Sequence, residues 1–162
     1  MLQKKFIKNH KKLKEILDRL KKSGKKIVFT NGCFDLIHPG HVDYLEKAKS
    51  LGDILVVAIN SDSSVKRLKG EKRPILNEND RVKIISSFYF VDYVTIFQED
   101  TPYNLIKILI PDILVKGGDW DIDKIVGKDI VEKNGGKVLN IEFKEGYSTS
   151  GIIEKILGRW GY

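Results

Sequence analysis

Ile27-Val28-Phe29-Thr30-Asn31-Gly32-Cys33-Phe34-Asp35-Leu36-Ile37-His38-Pro39-Gly40-His41 passes from an apolar run through a polar turn into a segment whose apolar residues, Val42, Leu45, Ala48 and Leu51, recur at helical spacing. The stretch reads as strand, turn and helix, with Gly52 as the helix stop. The first turn of a helix offers unpaired N–H groups and a partial positive charge to an anion. Two imidazoles three residues apart at that turn can donate to phosphate oxygens from one side. Gly40 omits a side chain that would hold a phosphate away, and Pro39 fixes its own φ on the approach. A lone histidine is more often a surface or capping residue. Here His38 and His41 are two of only three histidines, share one turn and follow Asp35 closely.

Outward from this junction, strand and helix patterns alternate to both ends of the chain. Leu13, Ile16, Leu17 and Leu20 mark one face of an amphipathic helix that Ser23-Gly24 stops. Ile54 to Ile59 is continuously apolar, as in a strand covered on both faces. Val65 to Leu68 is a short helical piece beside a basic loop, 66–75. Asn77 and Asp80 then open a helix with Val82, Ile84, Ile85 and Phe88. Tyr93 to Phe97 is a strand, and Pro102 takes the first position of a helix carrying Leu105, Ile106, Leu109 and Ile110. Ile113 to Val115 is a strand, a helix lies near 125–133, a strand spans Lys137 to Phe143, and a last helix carries Ile152, Ile153, Ile156 and Leu157. This order predicts an α/β fold: a single-domain, Rossmann-like, doubly wound parallel sheet of about five strands with an extra N-terminal amphipathic helix.

At 162 residues the chain suits one domain. Its single cysteine, Cys33, excludes an internal disulfide and a Cys-rich metal cluster, and fits a reducing compartment. No apolar run approaches membrane-spanning or signal-peptide length, which points to a cytoplasmic protein with no membrane partner. The net charge of +7 is unevenly placed: residues 1–26 hold 11 Lys and Arg against 2 Asp and Glu, and the rest hold 18 against 20. Residues 1–24 thus form a basic helical arm ahead of a main domain, 25–162. No aromatic residues are interleaved through the arm for base stacking, so a solvated helix face outweighs a nucleic-acid surface.

In a doubly wound sheet, ligands bind beyond the carboxyl ends of the strands. Four polar loops fall there: the opening stretch, 60–74, 116–120 and 146–151. The chain has neither the G-x-G-x-x-G turn nor the G-x-x-x-x-G-K-[ST] loop, which leaves the two-histidine turn to receive phosphates. Ser148, Thr149 and Ser150 supply a capping residue for the last helix and a second hydroxyl-rich phosphate site. Lys66, Lys69 and Arg73 are either solvated loop cations or ligands for a second anion.

Gly32-Cys33-Phe34-Asp35 with His38-Pro39-Gly40-His41, and Glu145-Gly146-Tyr147-Ser148-Thr149-Ser150, resemble the signatures of the HxGH nucleotidyltransferase superfamily. Arg67-Leu68-Lys69-Gly70 with Arg73-Pro74-Ile75, Val91-Asp92-Tyr93-Val94, and Leu114-Val115-Lys116-Gly117-Gly118-Asp119-Trp120 are similar to the adenylyltransferases of ADP-heptose synthesis, in their stand-alone form. The glycerol-3-phosphate cytidylyltransferases share several motifs, but carry arginines where this chain reads Phe88-Tyr89-Phe90 and Glu142-Phe143-Lys144.

The resemblance implies transfer of AMP from ATP, with Mg²⁺, to a heptose 1-phosphate for lipopolysaccharide core synthesis. It assigns His38, His41 and Lys69 to catalysis and Asp35 and Arg73 to the sugar phosphate. Thr30, Asn31, Gly32, Cys33, Phe34, Gly40, Gly117, Asp119, Trp120, Tyr147, Ser148 and Thr149 go to the nucleotide, and no residue is assigned as a metal ligand. Cytidylyl transfer to a polyol phosphate and nucleic-acid binding through the arm stand as the alternatives. A homodimer, through the N-terminal helix or Tyr89 and Tyr93, and a functional link to a separate heptose kinase are left open.

Overall fold

The computed structural model describes residues 5–118 and 121–161, so Asp119 and Trp120 lie outside the described residues. Five parallel strands, β1 (Ile27–Gly32), β2 (Ile54–Asn60), β3 (Tyr93–Phe97), β4 (Ile113–Gly117) and β5 (Lys137–Ile141), lie in the order β3-β2-β1-β4-β5. The strand order reverses at β1 and β4, and the crevice of a doubly wound sheet opens at that point.

The alternation of side chains along each strand explains the two-sided core. Val28, Leu55, Val57, Ile59, Ile113 and Val115 face one way, where they meet Tyr44, Leu45 and Ala48 of α2 (Pro39–Ser50) and Val82 and Ile85 of α4 (Glu78–Ser87). Ile27, Phe29, Val56, Ala58 and Leu114 face the other way. There they meet Leu13 and Leu17 of α1 (His10–Lys22), Leu105, Ile106 and Leu109 of α5 (Tyr103–Leu109), and Val131 of α6 (Lys128–Lys133). The expected amphipathic N-terminal helix is therefore present, capped by Asn9, with its apolar stripe against the sheet layer and α5. Ahead of it, Phe6 makes an isolated parallel bridge to Val94, with Val94 N–H donating to Lys5 O at 2.9 Å and Ile7 N–H to Val94 O at 2.9 Å.

Several boundaries differ from the sequence expectation, each for a local reason. Lys66 to Lys69 are not loop: α3 (Asp62–Lys69) runs through them, started by the Ser61 side chain and ended at Gly70, whose φ of 99° only glycine adopts readily. Gly52 is not a left-handed helix stop; Leu51 closes α2, and a Cβ at 52 would meet Val28 at 2.7 Å, so glycine serves close packing there. Pro102 is the residue before the first turn of α5, and Ile110 ends that helix in the left-handed region. The helix near 125–133 is a 3-10 turn, Ile122–Lys124, followed by the short α6. β5 stops at Ile141 because Phe143 turns back onto Gly117. The last helix, α7 (Thr149–Trp160), has no buried residue, and its apolar residues Ile156 and Leu157 are 51% and 62% exposed.

Candidate active site

A cavity of about 650 Å³, within the range of small-molecule sites, opens at the β1/β4 crevice. Its floor comes from the end of β1 and the turn behind it, with Asn31, Gly32, Cys33, Phe34 and Asp35 on its lining. His38 and His41 stand on one wall, Tyr147, Ser148 and Thr149 on another, and Lys69 and Arg73 on the side of α3, with Gly117 at the end of β4. The four loops that sequence placed at the strand ends thus converge. Among the described residues, two assigned ones do not reach the lining. Thr30 is fully buried beneath it, hydrogen-bonded to the Tyr44 hydroxyl, and Gly40 is packed under the His38 ring.

The histidine turn is built as an aromatic ladder. His38 caps the backbone start of α2 without a side-chain bond, and its ring stacks on His41 with centroids 3.8 Å apart and planes at 22°. Phe34 meets His41 edge-on at 5.5 Å, and Tyr147 lies over His38 at 6.1 Å. A Cβ on residue 40 would come within 3.0 Å of the His38 ring and 3.2 Å of Tyr147. Glycine is needed there for the ring to lie flat, a reason the spacing of the motif does not reveal.

Burial depresses both imidazoles. Desolvation, with the neighbouring His38 ring as a smaller cause, pushes His41 down to about 4, and desolvation also lowers His38. Both are neutral at neutral pH. Their Nδ1 atoms are buried without a hydrogen-bond partner among the described residues, which makes them natural contacts for a ligand's polar atoms.

The turn between β1 and α2 is held by two networks. Phe34 and Leu36 both take left-handed φ, 49° and 53°, a conformation that costs a non-glycine residue roughly 1–3 kcal/mol. Between them the Asp35 carboxylate is fully buried. It accepts from Arg73 Nε at 2.8 Å, Ile75 N–H at 2.8 Å and Leu76 N–H at 3.0 Å. Burial pushes its pKa up, but those two N–H groups and the Arg73 guanidinium outweigh it and hold the carboxyl below its usual range. Asp35 thus fixes the segment that carries Arg73, while Arg73 also lines the cavity.

The α7 side joins the same turn. The Ser148 side chain accepts from Gly151 N–H at 2.9 Å, the cap expected from sequence, and the Thr149 hydroxyl donates to Asp35 O at 2.6 Å. Lys144 does not face the cavity: it pairs with Asp43 at 3.3 Å and sits over the Tyr147 ring.

Several lining groups were not assigned from sequence, Lys116, Asn60 and Phe143 among them. Lys116, the next-to-last residue of β4, lies on the lining, where burial, opposed by Cys33 and aided by Lys69, lowers its pKa. A lone cation after Ile113-Leu114-Val115 was the available signal. Asn60 ends β2, and Phe143 covers Gly117, where a Cβ would meet its ring at 2.4 Å. Among the described residues, no group of three His, Cys, Asp or Glu gathers as a metal cluster. A Mg²⁺ ion on a nucleotide is held mainly by phosphates and water and needs few protein ligands. No described helix is long and apolar enough to cross a membrane.

Comparison with known proteins agrees with this architecture. A protein described as bifunctional protein HldE from Campylobacter jejuni is 58% identical over 151 residues, 93% of this chain and 32% of that protein. Another of the same description, from Citrifermentans bemidjiense, is 56% identical over 154 residues, 95% of this chain and 32% of that protein. The chain therefore spans about a third of the length of the curated relatives it matches. The crystal structure of a lipopolysaccharide core biosynthesis protein from Thermoplasma volcanium superposes with a TM-score of 0.62 at 34% identity, covering 77% of this chain and all of that one. A pantoate-beta-alanine ligase from Francisella tularensis, at 19% identity, shares the fold with a TM-score of 0.62 over 90% of this chain and 69% of its own. The cytidylyltransferase-like family matches residues 29–155, from β1 and the histidine turn through the Ser148 cap into α7. The chain belongs to the cytidylyltransferase-like family.

Proposed function

We propose that this domain transfers AMP from ATP to a heptose 1-phosphate, releasing pyrophosphate and forming ADP-heptose for lipopolysaccharide core synthesis in the cytoplasm. The observation that carries this reading is the meeting of two helix N-termini, α2 with its histidine pair and α7 with Ser148 and Thr149, across one cavity that Lys69 and Arg73 also line. The solved structure described as a lipopolysaccharide core biosynthesis protein, at 34% identity, supports the same biosynthetic role.

A phosphate oxygen of heptose 1-phosphate attacks the α-phosphorus of ATP. The new P–O bond forms as the bond to the β-phosphate oxygen breaks, and pyrophosphate departs. The attacking phosphate is already ionised at neutral pH, so no protein base is needed. Positioning and charge stabilisation are the tasks left to the protein.

In this reading His38 and His41 donate to α- and β-phosphate oxygens, and the start of α7 receives the outer phosphates through its N–H groups. Lys69 and Arg73 hold the sugar phosphate, and Lys116 offsets charge from the floor. Asn31 to Phe34 and Gly117 border the nucleotide, with Asp119 and Trp120 proposed to continue that border. Mg²⁺ arrives with ATP and offsets charge on its phosphates.

Pyrophosphate release measured with ATP or CTP, crossed against heptose 1-phosphate or glycerol 3-phosphate, tests the proposal. Turnover with ATP and heptose 1-phosphate is expected; strong turnover with CTP and none with ATP would replace it by cytidylyl transfer. Lys144 pairs with Asp43 and is not on the cavity lining, so the position at which the glycerol-phosphate enzymes carry an arginine does not supply a substrate cation in this chain.

A further inference from the structure

Arg81 is the largest fully buried side chain in the molecule and makes no contact with the cavity. Its guanidinium donates in three directions: Nη1 to Cys33 O at 2.6 Å, Nε to Leu76 O at 3.1 Å, and Nη2 to Asp62 Oδ1 at 2.8 Å. Two of these acceptors lie on the segments that carry Arg73 and Lys69, and the third lies on the turn that carries the histidines. Cys33 precedes the left-handed Phe34, Leu36 pair and the histidines. Leu76 closes the segment that begins with Arg73, and Asp62 opens α3, which ends at Lys69. Asp35 joins the first two segments through Ile75 and Leu76, and Glu78 accepts from Asp62 N–H at 2.9 Å. Burying a guanidinium is costly unless it is paired and hydrogen-bonded, and its broad rigid fork reaches acceptors on three separate segments that the compact ammonium of a lysine does not match in geometry.

We infer that Arg81 is a positioning residue for the acceptor substrate: it sets Lys69 and Arg73 at a fixed distance from the histidine pair. The inference rests on the proposed assignment of those two cations to the sugar phosphate. It separates the site into a nucleotide half, anchored by α2 in the core, and an acceptor half, anchored through one buried guanidinium.

The test uses Arg81→Lys and Asp62→Asn, with Ile85→Val on the same helix as a control for general loosening. In both network variants KM for heptose 1-phosphate should rise about tenfold, as expected when a binding group is displaced by a fraction of an ångström, while KM for ATP changes little. Amide exchange at Ile75 and Leu76 should speed up with α2 unchanged, and the control should do neither. Asp62→Asn keeps the test decisive where Arg81→Lys does not fold. A proportional change in both KM values, or unchanged exchange at Ile75 and Leu76, would overturn the inference. Absence of wild-type turnover with heptose 1-phosphate would instead overturn the functional proposal, and the exchange measurement would still decide whether Arg81 fixes the segment.

Discussion

The helices α2 and α7 have the same length and present their first turns to the same cavity, yet they are attached to the protein in different ways. Tyr44, Leu45 and Ala48 sink α2 into the core, and the turn ahead of it is tied down by Asp35 and Arg81. No residue of α7 is buried, and its start is held by the Thr149 hydroxyl on Asp35 O and by the Ser148 cap. Helix electrostatics makes both ends attractive to phosphate. Packing makes only one of them a fixed reference, against which the other is aligned by a few polar contacts.

The sharpest way to break this contrast is at the histidine pair. His41→Ala should lower kcat by about 10²- to 10³-fold, the loss seen when one preorganised donor to a developing charge is removed, with a much smaller change in ATP affinity. Steady-state kinetics beside ATP titration checks it, and a loss of only a few-fold would remove the assigned role. Next is the anchoring of α2: Leu45→Ala, at a fully buried position, should cost about 2–5 kcal/mol of unfolding free energy in urea.

The pH dependence comes third. His41 has a folded pKa of about 4, below its ordinary 6.5, so the unfolded chain takes up the proton first as pH falls. Stability should therefore decline between about pH 6.5 and 4, and His41→Ala should flatten that decline. The lowered Asp35 carboxyl acts in the same direction at lower pH. Its contribution is present above the ordinary carboxylate pKa and is lost as pH falls through the depressed value. Bound phosphates favour the imidazolium form, so ATP binding should take up protons and tighten as pH falls, seen by calorimetry in buffers of different ionisation heat.

On the α7 side the effects are smaller. Thr149→Ala, which deletes the tether to Asp35 O, should reduce kcat/KM by about 3- to 10-fold, the worth of one hydrogen bond, and Thr149→Ser should restore it. Leu157→Ser, on the exposed stripe, should change stability by no more than about 0.5 kcal/mol by the same urea measurement.

The alternation of apolar runs made the sheet legible, because β1 and β2 are too apolar to be covered on one face only. The two-histidine turn and the Ser148 cap were legible because their chemistry is local. What escaped the sequence depends on contacts between distant residues. Arg81 lies in a helix among ordinary neighbours, and nothing nearby announces that its acceptors include Cys33 O, 48 positions away. Asp35 read as a ligand for the sugar phosphate; its use as the clamp for Ile75 and Leu76 appears only once the loop folds back. Gly40 and Gly117 were assigned to the ligand, while the atoms nearest their missing Cβ belong to His38 and Phe143.

The short bridge between Phe6 and Val94 has a consequence for self-association. It places backbone from the chain's own N-terminal region beside β3, so that rim of the sheet is partly occupied, whereas among the described residues no strand lies beyond β5. A sheet with both rims bare can recruit copies end over end without limit. With one rim partly occupied, strand addition between copies is favoured at β5, where a β5-to-β5 pair would close on itself rather than propagate.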